Sequence, residues 1–307
     1  METGQVHNQN VPSIDTVTKN IVTKGFLMSS KSNLIGGQRA WAARSGVSVD
    51  ERGYVNSIAD NLYRPLSSRA LQAFSSGSGS ELQDTAQRSA KMKALHSSAA
   101  LVVNFFDYWT TRNAEVLLRS LGLPENPSSI EFEAQFPTGL PGIPPNLDLA
   151  LRFDSGLVIG VESKFSEWLT PKPAGKEMFK AKYFPESIGL WTSRRLPGCQ
   201  ALANEVQSGA DQFRYLDVAQ LLKHALGLST QHPGSIELFY VFFDIPGQES
   251  LAHRAEVERF ESAVKGDFRF RWSSYQDIFK KLAQSAGAEH RSYITYLGER
   301  YFPDLSQ

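Results

Sequence analysis

Asn146-Leu-Asp148-Leu-Ala-Leu-Arg152-Phe-Asp154-Ser-Gly156-Leu-Val-Ile-Gly-Val-Glu162-Ser-Lys164 is the stretch on which the fold turns. Before the turn, Leu147, Leu149, Leu151 and Phe153 point one way and Asp148, Ala150 and Arg152 the other, which is the period of a half-buried strand. Asp154-Ser155-Gly156 is turn chemistry, so the two flanking runs predict a tight β-hairpin. With a loop of residues 154–156, Phe153 faces Leu157 and opposed residue numbers sum to 310 along the ladder. Asp148 then stands directly opposite Glu162, with β-carbons about 5 Å apart. Lys164 is two residues beyond Glu162 and shares its face.

Two adjacent carboxylates repel, and the pairing is costly unless a hard cation such as Mg²⁺ sits between them. A lysine beside that cation can hold a phosphate, or keep an attacking water oriented and easier to deprotonate. The plainer interpretation is a surface hairpin with a cross-strand Glu to Lys pair. An acid-x-Lys tripeptide by itself is weak, since about one is expected by chance in a chain this long. Here Glu162-Ser163-Lys164 is the only one, it lies in a strand of the right period, and it is in register with Asp148 after Pro144-Pro145-Asn146.

These residues resemble the PD-(D/E)xK superfamily of restriction-endonuclease-like nucleases, through Asp148 in one strand and Glu162-x-Lys164 in the next. Within it the chain is similar to a bacterial family of restriction-endonuclease-like proteins. The likeness runs through Phe136-Pro-Thr-Gly139, Pro144-Pro-Asn-Leu-Asp148, Glu162-Ser-Lys-Phe165 and Phe213-Arg-Tyr-Leu-Asp-Val-Ala-Gln-Leu-Leu-Lys-His224, within roughly residues 90 to 300. The resemblance implies an α/β fold with an α-β-β-β-α-β core, a mixed sheet flanked by helices, and Mg²⁺-dependent phosphodiester hydrolysis with Mn²⁺ as a substitute ion. Asp148, Glu162 and Lys164 would be catalytic, with Asp148, Glu162 and the Ser163 backbone carbonyl on the metal. Superfamily members often place a glutamine near the metal on the crossover helix, which makes Gln220 a candidate for a supporting role.

Composition agrees with a single large core: 307 residues, 41% of them hydrophobic. One cysteine, Cys199, excludes an intramolecular disulfide framework and points to a reducing compartment. No stretch is apolar enough to span a bilayer and the first 20 residues lack a signal-peptide core, so a cytoplasmic location is expected. Formal net charge is zero, with 32 basic and 32 acidic residues, so no bulk field draws the chain to nucleic acid. Between Lys164 and Gln200, however, seven Lys or Arg face three Glu. Lys172, Lys176, Lys180 and Lys182 in that run are candidates for contacting a phosphate backbone, against the alternative of a solvated loop.

Residues 1–80 read as a polar, partly irregular segment ending in Ser75-Ser-Gly-Ser-Gly-Ser80, and 81–307 as the nuclease-like domain. Its core is expected over about 97–245, completed by 246–307. A Ser97-capped helix is predicted to run to Leu121-Gly122. Residues 130–136 alternate as a strand whose polar side, with Glu133, borders the centre. Leu169 to Pro197 reads as a long excursion anchored by aromatic residues. A helix from about Cys199 or Asp211 to Leu226-Gly227 then feeds the apolar strand Ile236–Phe243, and helix 250–265, strand 268–272 and two helices follow. Gln220 and His224 are four apart on that crossover helix and share a face.

No phosphate loop is present, because Ala174-Gly175-Lys176-Glu177 lacks the leading glycine and the hydroxyl, so no nucleotide cofactor is expected. Six scattered histidines and one cysteine give no zinc spacing. The sequence therefore favours a Mg²⁺-dependent nuclease acting on DNA, most simply an endonuclease, and leaves a homodimer open. The alternative is a non-catalytic nucleic-acid-binding or assembly protein that keeps the fold. RNA as substrate, recognition sequence and pathway are not legible.

Overall fold

The computed structural model describes Met1 and residues 29–77, 80–123, 126–173, 178–186, 189–234 and 236–305. The hairpin is the middle of a five-stranded mixed sheet with strands in sequence order: β1 Ser129–Gln135, β2 Asn146–Arg152, β3 Val158–Lys164, β4 Ile236–Phe242 and β5 Arg269–Ser274. β1 to β3 are antiparallel, and β4 and β5 run parallel to β3. The expected register holds, with Leu149 opposite Val161 and Arg152 opposite Val158. Phe153 N donates to Leu157 O at 3.0 Å, and Gly156 closes the turn at φ +85°.

Helices cover both faces. On one side are α1 Ser30–Arg44, α2 Ser68–Ser76, α3 Ser98–Phe106 and α4 Glu115–Ser120, joined by α8 Tyr275–Ser285 and α9 Arg291–Tyr301. On the other are α5 Pro197–Ser208, α6 Val218–Gln231 and α7 Gln248–Val264, so α5 and α6 form the crossover between β3 and β4. β4 is buried on both faces, which is why its sequence apart from Glu237 is apolar. Leu34, Leu62, Ala70 and Phe74 join the same core as α3 and β2, so the described part of residues 1–80 packs into the domain.

The expected Ser97 helix is divided, and so is the crossover helix if it is begun at Cys199 and not at Asp211. The Ser97 helix stops at Phe106, where Asp107 turns to accept from Ser67 N and Oγ at 2.8 and 2.5 Å. It restarts at α4 behind Asn113, whose Oδ1 accepts from Glu115 N at 2.9 Å. The crossover run breaks at Gly209, φ +77°, and restarts where Asp217 caps α6 by accepting from Gln220 N at 3.0 Å. Gly227 is inside α6 and not its end. A β-carbon there would lie 2.3 Å from Phe136 O, so glycine lets the helix approach the chain leaving β1.

The sheet turns over at one place. Ile130, Phe132, Leu149 and Leu151 face the core under α3, whereas Ala134, Phe136 and Leu147 face the core under α6. The β1–β2 ladder pairs Phe132 with Leu149 and Ala134 with Leu147 and skips Glu133 and Asp148 between them. Glu133 has φ +49°, a conformation that costs a non-glycine residue about 1–3 kcal/mol. This break brings both acids to the end of the sheet where β3 finishes.

Candidate active site

The β2–β3 ladder ends at Leu149 opposite Val161, one step short of the direct Asp148–Glu162 pair that the register predicts. The Asp148 side chain takes up the next strand position instead: its Oδ2 accepts from Ser163 N at 2.7 Å. Ser163 directs its hydroxyl to the opposite face, 2.8 Å from Tyr275 Oη. Glu162 and Lys164 project toward α6, and Lys164 Nζ donates to Glu162 Oε1. From α6, His224 Nε2 comes within 3.0 Å of Glu162 Oε2, with both side chains only 1% exposed. The two atoms are off the line a hydrogen bond requires, and neither has a hydrogen-bond partner among the described residues.

Burial and then the Glu162 charge push the Asp148 carboxyl well above its ordinary range. Burial acts the same way on Glu162, but the Lys164 ammonium and His224 outweigh it and hold that carboxyl ionised below its usual range. Lys164 is buried as well, yet the charges of Glu162 and Asp148 keep its ammonium above the ordinary lysine range. One ionised acid, one reluctant acid and one committed cation therefore meet at the end of β3. This is a charge arrangement suited to an anionic substrate and not to a lysine acting as base.

The sequence model of the family described as "restriction endonuclease associating with ARP" matches residues 38–302. The chain belongs to this family. No curated protein and no solved structure matches it. The match begins within α1, so it takes in just over half of the segment that composition sets apart as residues 1–80.

Of the supporting residues expected from the sequence, Glu133 is half-buried with its Oε2 accepting from Asn146 Nδ2 at 2.8 Å. Its carboxyl is raised by burial and by the nearby charges of Glu81 and Glu162, against the Asn146 bond. Gln220 lies one turn before His224, half-buried, and its side chain bonds to none of the described site residues. The α6 side chain that reaches the acids is His224. Along α6 it is flanked by buried Leu221, Leu222, Ala225 and Leu226, and Gly227 seats that half of the helix against Phe136.

The lysines of the excursion separate. Lys172 Nζ lies 2.9 Å from Asp217 Oδ1, tying the excursion to the cap of α6. Lys182 donates to Pro141 O, Lys180 is exposed, and Lys176 lies outside the described residues. Phe179, Tyr183, Phe184 and Trp191 pack on one another, and Trp191 Nε1 donates to Leu222 O at 2.8 Å, so these rings anchor the excursion.

Among the described residues no three His, Cys, Asp or Glu side chains converge in a metal-holding cluster. Mg²⁺ does not require one, since it keeps several waters and takes one or two carboxylates together with substrate phosphate. Asp148 with Glu162 meets that requirement, and the unpartnered buried Glu162 Oε2 is a donor atom of the right kind. No described helix is long and apolar enough to cross a membrane.

Proposed function

We propose that this chain is a divalent-ion-dependent nuclease that hydrolyses phosphodiester bonds in DNA, most simply as an endonuclease. One observation carries the reading: Asp148, Glu162 and Lys164 meet at the end of β3 in a chain whose family is named for restriction endonucleases. Asp148 and Glu162, with the Ser163 carbonyl, would hold Mg²⁺ or Mn²⁺, which supplies Lewis acidity and an activated water. Lys164 remains protonated and so acts on the scissile phosphate, where its charge is stabilising as negative charge builds on the non-bridging oxygens. The Ser163 N–H fixes the Asp148 carboxylate, and Glu133 borders the acids from β1. We extend to this chain the association with ARP that the family's description names.

A non-catalytic, DNA-binding role draws on a different feature: Lys164 and His224 already crowd both oxygens of Glu162. Incubation with supercoiled, linear and single-stranded DNA in Mg²⁺ or Mn²⁺ separates the two. Metal-dependent nicking supports the nuclease, whereas binding of DNA and ion without any cleavage supports the alternative.

A further inference from the structure

The contact between Glu162 and His224 is an odd one. Both side chains are 1% exposed, their Oε2 and Nε2 atoms are 3.0 Å apart, and yet the pair is not aligned as a hydrogen bond. Leaving a buried polar atom unmatched costs about 1–3 kcal/mol, so two such atoms facing each other call for a function. Lys164 engages only Oε1, which leaves Oε2 directed at the imidazole. The imidazole is itself only 1% exposed, and Gly227 seats its helix against Phe136.

Donors held at about 2.1 Å from one ion and at right angles to each other lie about 3.0 Å apart. That is the spacing found, and it needs no linear N–H···O geometry. Resting on the metal-dependent reading above, we propose that His224 Nε2 and Glu162 Oε2 are adjacent ligands of a single divalent ion. An imidazole nitrogen in the set shifts preference from Mg²⁺ toward a borderline ion such as Mn²⁺. The chain would then be a nuclease tuned to a transition metal, with His224 setting the choice of ion while water and the substrate phosphate complete the coordination.

The test is direct binding. Metal-free protein is titrated calorimetrically with Mn²⁺ and with Mg²⁺, and the Mn²⁺-loaded protein is examined by electron spin-echo envelope modulation for a directly bonded nitrogen. Wild type is expected to bind Mn²⁺ roughly tenfold more tightly than Mg²⁺ and to give the nitrogen signal. His224→Ala should lose the signal and roughly tenfold in Mn²⁺ affinity while Mg²⁺ affinity stays within about twofold, and Glu162→Gln should weaken both ions. Mn²⁺ bound by wild type without a coupled nitrogen would overturn the proposal and leave the nuclease reading standing; this measurement needs no variant to fold. Failure of wild type to bind either ion would overturn both.

Discussion

Gly227→Ala tests the closeness of α6 to the sheet, on which the position of His224 depends. The added methyl would sit 2.3 Å from Phe136 O, where ordinary contact begins at 3.4 Å, so the helix or the chain leaving β1 must give by about 1 Å. The obstacle is backbone and not the end of a flexible side chain, which puts the overpacking penalty at the upper part of about 1–3 kcal/mol. Alanine in place of glycine inside a helix returns about 1 kcal/mol. The net loss is about 1–2 kcal/mol, or a fall in Tm of about 2–8 °C. Gly37→Ala in α1 is the matched control: nothing lies within 4 Å of its β-carbon, so only the helix term acts and Tm should rise by about 2–4 °C. Differential scanning calorimetry on the two variants should give shifts of opposite sign. A rise for Gly227→Ala equal to that of Gly37→Ala would mean that α6 does not approach Phe136, and the placement of His224 on Glu162 would fall with it.

Lys164→Ala should abolish cleavage and, because it strips a partner from buried Glu162, lower metal-free stability by about 3–5 kcal/mol in urea unfolding; wild-type stability would remove the buried pair from the account. Asp148 titrates above its ordinary range in the folded chain, so the unfolded chain loses its proton first and stability declines as pH rises from about 4 through the folded value. Metal-free Asp148→Asn should therefore be more stable than wild type at pH 7, with the gap closing toward pH 4; a gap that does not change with pH would contradict the burial of this acid. Reversing exposed Lys180 and Arg195 to Glu should weaken DNA binding and flatten its salt dependence by about two phosphate contacts, and a titration that superimposes on wild type would mark the excursion as a solvated loop.

The hairpin was legible because three independent signals agree: period-two alternation, an Asp-Ser-Gly turn, and a register that puts charged residues on one face. The end of the ladder was not. Asp148 leaves the expected pairing to accept from Ser163 N, a choice made by the local break at Glu133, and glutamate carries no sequence mark of a positive φ. On α6, periodicity puts Gln220 and His224 on one face and cannot rank them. Depth decides, and depth comes from Gly227, whose missing side chain draws the C-terminal half of the helix inward. The first 80 residues read as polar because serine and asparagine are frequent there and the apolar residues are scattered. Leu34, Leu62 and Phe74 nevertheless fill gaps in a core already supplied by α3 and β2.

The central claim is that Asp148, Glu162 and Lys164 perform metal-dependent hydrolysis of DNA. Its most direct test is the conversion of supercoiled plasmid by purified wild type and by Lys164→Ala, each with Mg²⁺, with Mn²⁺ and with chelator, and with circular dichroism to verify folding. Relaxed or linear product is expected only from wild type with a divalent ion. The same product from a folded Lys164→Ala protein, or from wild type in chelator, would contradict the account.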